Sequence, residues 1–208
     1  MNLKEGAKMS DERHRDYAGA KIGMWLFLFT EILLFGGMFL LYSVYRVKHP
    51  QDFHNAAGEL NTIIGALNTL ILITSSLTMA LSISATQKGH KKLSTLFLVL
   101  TILLGTAFLV DKYFEWGAKF HHGIYPNSPE LLTYTKGKVL FYGLYFVMTG
   151  FHGLHVLIGV LILSVMLVLV MKTKIHKTDF IKLENSGLYW HMVDIIWIFL
   201  FPLFYLIT

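Results

Sequence analysis

The sequence predicts an all-α integral membrane bundle of about five transmembrane helices, on three observations. Hydrophobic residues fill 54% of the 208 positions and charged residues only 15%, whereas soluble domains run nearer a quarter charged. The chain holds 16 Phe, 10 Tyr and 4 Trp, which suits rings packed between helices and anchored at headgroups. Five stretches also reach the roughly 20 apolar residues that a helix needs to cross about 30 Å of hydrocarbon.

The first stretch, 22–45, follows Lys21. Its apolar run is too long for a signal peptide and no small-residue cleavage site closes it, so it is expected to stay in the mature protein. Residues 1–21 then read as a tail, and 22–208 as one five-helix membrane domain. The second and third spans are expected at 61–86 and 93–116. The fourth, 139–171, would be about 50 Å long at about 1.5 Å per residue, so it must tilt or extend past the bilayer. The fifth is expected at 187–207, unbroken apart from Pro202 near its end. Between the third and fourth spans, 117–137 includes Pro126, Asn127, Ser128 and Pro129 and shows no helical period; it is expected to lie over the bundle.

Basic residues set the expected orientation, because short cytoplasmic loops hold their excess. Lys4, Lys8, Arg13, Arg15, Lys21, Lys88, Lys91, Lys92, Lys172, Lys174, Lys177 and Lys182 fall on one side. Only Arg46, Lys48, Lys112, Lys119, Lys136 and Lys138 are left for the other. The amino terminus is therefore expected in the cytoplasm and the carboxyl terminus outside, a parity that five crossings satisfy. Net charge is +5, but the basic residues form no stripe interleaved with aromatics, which argues against nucleic-acid binding. The chain has no cysteine, so disulfides, thiolate zinc, iron–sulfur clusters and thiolate-bridged copper are all excluded.

Small residues recur inside the spans, among them Gly65, Gly105, Gly150, Gly153 and Gly159. In lipid they let helix backbones approach closely. Polar groups there need a reason, since a charge at mid-bilayer costs about 2.5–3.5 kcal/mol on insertion scales. Glu31 sits near the middle of the first span with no Lys or Arg within a turn. Two readings stay open for it: a protonated carboxyl bonded to a neighbouring helix, or a proton-exchanging group. His152 and His155 share a helix face at i, i+3. A metal or haem site would need ligands that do not accompany them, so hydrogen bonding between helices, with Gly153 admitting a neighbour, is the expectation. On the last span Trp190, Asp194 and Trp197 fall on one face, a pattern that fits packing, and His191 can meet Asp194 at i, i+3. Glu115, at the end of the third span, is expected to pair with Lys112 or Lys119 at the membrane interface.

Three segments carry a resemblance: Gly150-Phe151-His152-Gly153-Leu154-His155-Val156, Trp190-His191-Met192-Val193-Asp194-Ile195-Ile196-Trp197, and Thr30-Glu31-Ile32-Leu33-Leu34-Phe35. Leu67-Asn68-Thr69, Lys88-Gly89-His90 and Tyr113-Phe114-Glu115 follow in the same order. Together they resemble subunit III of the haem-copper respiratory oxidases, in its short five-helix bacterial form, over nearly the whole chain. Longer members have seven spans; this chain begins at what would be their third, so the lipid cleft built on their first two helices is expected to be absent or formed by another subunit. Some members place an Arg near the inner end of the penultimate span, where only Lys172 could take over a lipid headgroup contact.

The resemblance implies an accessory subunit without haem or copper, with bound phospholipid and with redox centres in partners. Its partners would be the catalytic subunit I and subunit II, which also receive the electrons. Its membrane would be the cytoplasmic (inner) membrane, crossed several times. It would support proton uptake and the stability of the catalytic subunit during aerobic electron transport. Cytochrome c oxidase is the first expectation; a quinol oxidase or nitric oxide reductase complex shares the short form. Two other classes compete. A transporter coupled through Glu31 predicts discontinuous helices and a polar lumen, and a metalloenzyme using His152, His155 and His191 predicts bound metal in the isolated chain.

Overall fold

The computed structural model describes residues 3–126 and 128–207, and side chains from Tyr17 onward except Leu132. Asn127 of the expected outer loop, and the side chains of Lys4, Lys8, Arg13 and Arg15, lie outside the described set. Helices run α1 (Leu3–Lys48), α2 (Pro50–Ala57), α3 (Thr62–Gln87), α4 (Lys91–His121), α5 (Lys136–Met171) and α6 (Ile181–Tyr205), with a 3₁₀ turn at Leu131–Thr133. Five of them are long and apolar enough to cross a membrane, and α2 is not.

The helix ends follow local chemistry. Asn61 starts α3 by accepting hydrogen bonds from the amides of Ile63 and Ile64 at 3.1 and 3.2 Å, which satisfies donors that a first turn leaves free. Gly89 ends it at φ +80, a left-handed conformation that costs glycine nothing. The last turn of α6 is finished from outside, as the hydroxyls of Tyr42 and Thr62 donate to the carbonyls of Leu203 and Tyr205. In hydrocarbon those orphan carbonyls would otherwise be costly.

Packing is uneven. Helices α3 and α4 lie together along most of their length, through a seam of small hydroxyls: Thr78 meets Thr101 at 2.8 Å, Ser82 meets Ser94 at 3.1 Å and Thr86 meets Ser94 at 2.7 Å. Trp190 of α6 fills the space over two glycines. An added Cβ would lie 2.5 Å from its ring at Gly105 and 2.7 Å at Gly159. A Cβ at Gly150 would lie 3.2 Å from Trp116, but one at Gly153 would meet no described atom of a neighbouring helix within 4 Å, so the expected close approach is not seen there. Within their most apolar windows α6 is 56% buried and α1 only 11%. Helix α6 is thus the axis of the bundle, and α1 leans on its flank through α5 and α6.

Two expectations are revised. The segment 117–137 is not without helix, because α4 continues to His121 and α5 already starts at Lys136. Residues 50–57, unassigned from sequence, form α2. Pro50 sits in its first turn, where its missing amide costs nothing, and Phe53, Ala56 and Ala57 bury one face. Phe53 packs edge-on to Tyr42 and Phe141 at 5.4 Å.

Candidate functional site

Glu31 and His155 come together. Glu31 Oε2 lies 2.9 Å from His155 Nε2, joining α1 to α5. The other imidazole nitrogen, Nδ1, lies 2.6 Å from the carbonyl oxygen of Phe151. A carbonyl only accepts, so Nδ1 must carry a hydrogen. The contact at Nε2 then needs one proton, held either on the carboxyl of Glu31 or on Nε2. Both forms leave the pair with zero net charge, which is what a low-dielectric setting favours. Phe35 stands edge-on to the ring at 5.4 Å, and Tyr189 donates to the His155 carbonyl at 3.0 Å.

The pair is reachable. A half-open groove of about 380 Å³ runs between α1, α5 and α6, with Glu31, His155, Asn185, Ser186 and Tyr189 as its polar members. Lys182, Asn185 or Ser186, and Tyr189 recur at helical spacing, so one face of α6 leads from the amino-terminal end of the bundle to the pair. At that end Lys21 pairs with Glu184 at 3.0 Å and Asn185 donates to the Ala20 carbonyl at 3.2 Å.

The other histidines behave differently. His152 is fully buried, edge-on to Phe108 at 5.4 Å and tilted over Trp197 at 5.2 Å. Neither ring nitrogen has a hydrogen-bond partner among the described atoms, and the observed contacts of the ring are aromatic. His191 does not bond Asp194; its Nδ1 meets Ser76 Oγ at 2.6 Å. Asp194 is 3% exposed and neither carboxyl oxygen has a hydrogen-bond partner among the described atoms. Trp190 and Trp197 are buried as expected, and their indoles donate to Ser75 and Thr69 at 3.1 Å. Lys172 caps the end of α5 and is exposed. Among the described residues no group of three or more His, Asp and Glu is placed to hold a metal ion.

Glu115 pairs with Lys112, one of its two expected partners, but the pair lies in a buried cluster. Lys112 Nζ donates to its Oε2 at 2.7 Å, and the Tyr145 and Tyr205 hydroxyls both donate to Oε1 at 2.5 Å. Lys112 is itself 7% exposed, bonds Tyr205 at 2.6 Å and lies 4.6 Å over the Trp197 ring. The spacing of Lys112 and Glu115 at i, i+3 announced the pair; the two tyrosines from other helices did not show in the sequence. Asn68 adds a link between α3 and α4, donating to Asp111 at 2.5 Å.

A second clasp lies outside the spans. Glu59 accepts from Lys138 and from Tyr142, each at 2.5 Å, while Lys119 donates to its carbonyl at 3.2 Å. Partial burial pushes this carboxyl up, but the hydrogen bonds from Lys138 and Tyr142 and the charges of Lys138 and Lys119 outweigh that and hold it below the usual glutamate range.

A helical bundle with five membrane-length spans, joined at one flank by a carboxyl–imidazole contact, defines a multi-pass membrane protein. The family model described as cytochrome c oxidase subunit III matches residues 3–208, and the chain belongs to that family. It is 29% identical to the probable quinol oxidase subunit 3 of Staphylococcus saprophyticus, over 99% of this chain and 97% of that one. It is 32% identical to the cytochrome c oxidase subunit 3 of Thermostichus vulcanus, over 95% and 92%. The chain is thus similar along almost its full length to subunits of oxidases with either kind of electron donor in their names. Subunit III of such an oxidase carries no redox cofactor in general and assembles with other oxidase subunits.

Proposed function

We propose that the chain sits in the cytoplasmic membrane beside oxidase subunits I and II, amino terminus inside, and that its Glu31–His155 pair exchanges protons with the inner surface while subunit I reduces oxygen. The contact carrying this reading is the 2.9 Å approach of Glu31 to His155 with Nδ1 committed to a carbonyl. Such a pair holds one proton that moves between two atoms without creating net charge. The polar face of α6 supports access from the amino-terminal end, and the concentration of basic residues there supports its cytoplasmic placement. Haem and copper belong to the partner subunits on this reading. Lys172, exposed at the end of α5, is positioned for a phospholipid headgroup.

Cytochrome c is the donor on the first reading. Quinol is the second, favoured by the printed names of the staphylococcal relatives. The test is purification through a tag on this chain, with an optical spectrum and oxygen consumption measured with each donor. Co-purifying haem and oxidase activity that survives removal of the chain are expected, and the donor consumed names the complex. A chain that purifies alone, without haem or partners, contradicts the proposal.

A further inference from the structure

The amino-terminal end of the bundle holds a half-enclosed pocket of about 110 Å³ between the α3–α4 and α5–α6 connections. Thr86, Lys91, Thr173, His176 and Lys177 line it over an apolar floor that includes Ile175. We infer that this pocket binds a phosphate oxyanion, carried by an anionic phospholipid headgroup or free in solution.

The two connections are already tied together across it. Lys91 Nζ donates to Thr173 Oγ1 at 2.8 Å although the residues lie 82 positions apart, which leaves two ammonium hydrogens for a ligand. Thr173 is the one non-glycine residue with positive φ among the described residues, at 58°. It closes α5, where the amides of Thr173 and Lys174 donate to the carbonyls of Val170 and Leu169 at 3.0 and 2.9 Å, the place where glycine is usual. The left-handed backbone is strained for a β-branched residue, and it sets a hydroxyl on the pocket wall.

Charge favours the same ligand. Lys91, Lys177 and His176 form no ion pair among the described residues. The nearby carboxylates are engaged elsewhere, Asp179 by the Tyr17 hydroxyl at 3.3 Å and Glu184 by Lys21. Lys88, Lys172 and Lys174 lie in the same two connections and raise the local potential. About 110 Å³ holds several water-sized groups, enough for a tetrahedral oxyanion.

The experiment uses the purified complex, stripped of lipid and titrated under native mass spectrometry with phosphatidylglycerol in neutral-lipid micelles or, separately, with inorganic phosphate. Lys91→Ala/Lys177→Ala is expected to weaken saturable binding about tenfold or more, the effect of losing charge-assisted hydrogen bonds. Lys92→Ala/Lys182→Ala removes the same charge from the same end without touching the pocket and is expected to leave affinity nearly unchanged. All four lysines are exposed, and a heat scan of both variants checks that the bundle stays intact. Binding of the lipid alone assigns a headgroup site, and binding of phosphate alone assigns a free-ion site; either supports the inference. Equal loss in the two double variants, or no saturable binding in either titration, overturns it.

Discussion

Two carboxylates inside the same bundle meet opposite fates. Glu115 is sealed among α4, α5 and α6 by one lysine and two tyrosines, each within 2.7 Å. Glu31 sits on the thinly packed α1 and has one partner, His155, beside a groove. The first arrangement satisfies a fixed charge from every side and holds helix ends together. The second bonds one carboxyl to one imidazole beside a half-open groove. A lone carboxylate in a membrane span is thus not one signal but two, told apart by how many donors surround it and how deeply its helix is buried.

The largest effect should come from breaking the sealed cluster. Lys112→Met leaves Glu115 without its counter-charge and is expected to destabilise the fold by about 3–5 kcal/mol, read as a lowered midpoint in a heat scan of the purified chain. Adding Glu115→Gln should recover part of that loss, because no unpaired charge then remains. Tyr205→Phe removes the hydroxyl that bonds Glu115, Lys112 and, more weakly, Tyr145 but keeps the ion pair, so a smaller loss of about 1.5–3 kcal/mol is expected in the same scan. A Tyr205→Phe loss as large as that of Lys112→Met would mean that the ion pair is not what holds this end together.

The groove-side pair should respond in the opposite way. Glu31→Gln keeps a donor for His155 Nε2, so stability should change by less than about 1 kcal/mol, while the transferable proton is gone. A drop in proton uptake at unchanged melting temperature is the expected signature. Smallest of all is the Glu59 clasp. Its carboxyl is held below the usual range, so the clasp stabilises the fold above the ordinary glutamate value of about 4.5 and loses that contribution as pH falls through the depressed one. The Glu59 side chain is 41% exposed, and solvent screening keeps the effect below about 1 kcal/mol. Melting curves of the wild type and Glu59→Gln should therefore converge as pH drops from neutral to about 3.

Much of this was legible in the sequence. Apolar length located all five spans, because crossing hydrocarbon is a constraint that every residue of a span must satisfy by itself. The spacing of Trp190 and Trp197 likewise announced a buried face. What could not be read was pairing across helices. Glu31 and His155 stand 124 positions apart, and nothing in periodicity brings α1 against α5. His152 and His155 look alike in sequence, yet one is wrapped in rings and the other bonded at both nitrogens, because three positions along a helix turn the side chain toward different neighbours. The burial of Lys112 stayed hidden for a related reason. A lysine near a span end reads as a surface charge unless its partners are known, and two of them, Tyr145 and Tyr205, come from other helices.

On the proposed function, Glu31 and His155 share one proton. Solid-state NMR of the complex, with nitrogen-15 in histidine and carbon-13 in glutamate carboxyls and with Glu31→Gln and His155→Gln to assign the signals, observes both partners at once. An Nδ1 that stays protonated throughout is expected, with a neutral imidazole always accompanied by a protonated Glu31 or an imidazolium by a carboxylate. An ionised Glu31 beside a neutral His155, or an imidazole protonated only at Nε2, would contradict it.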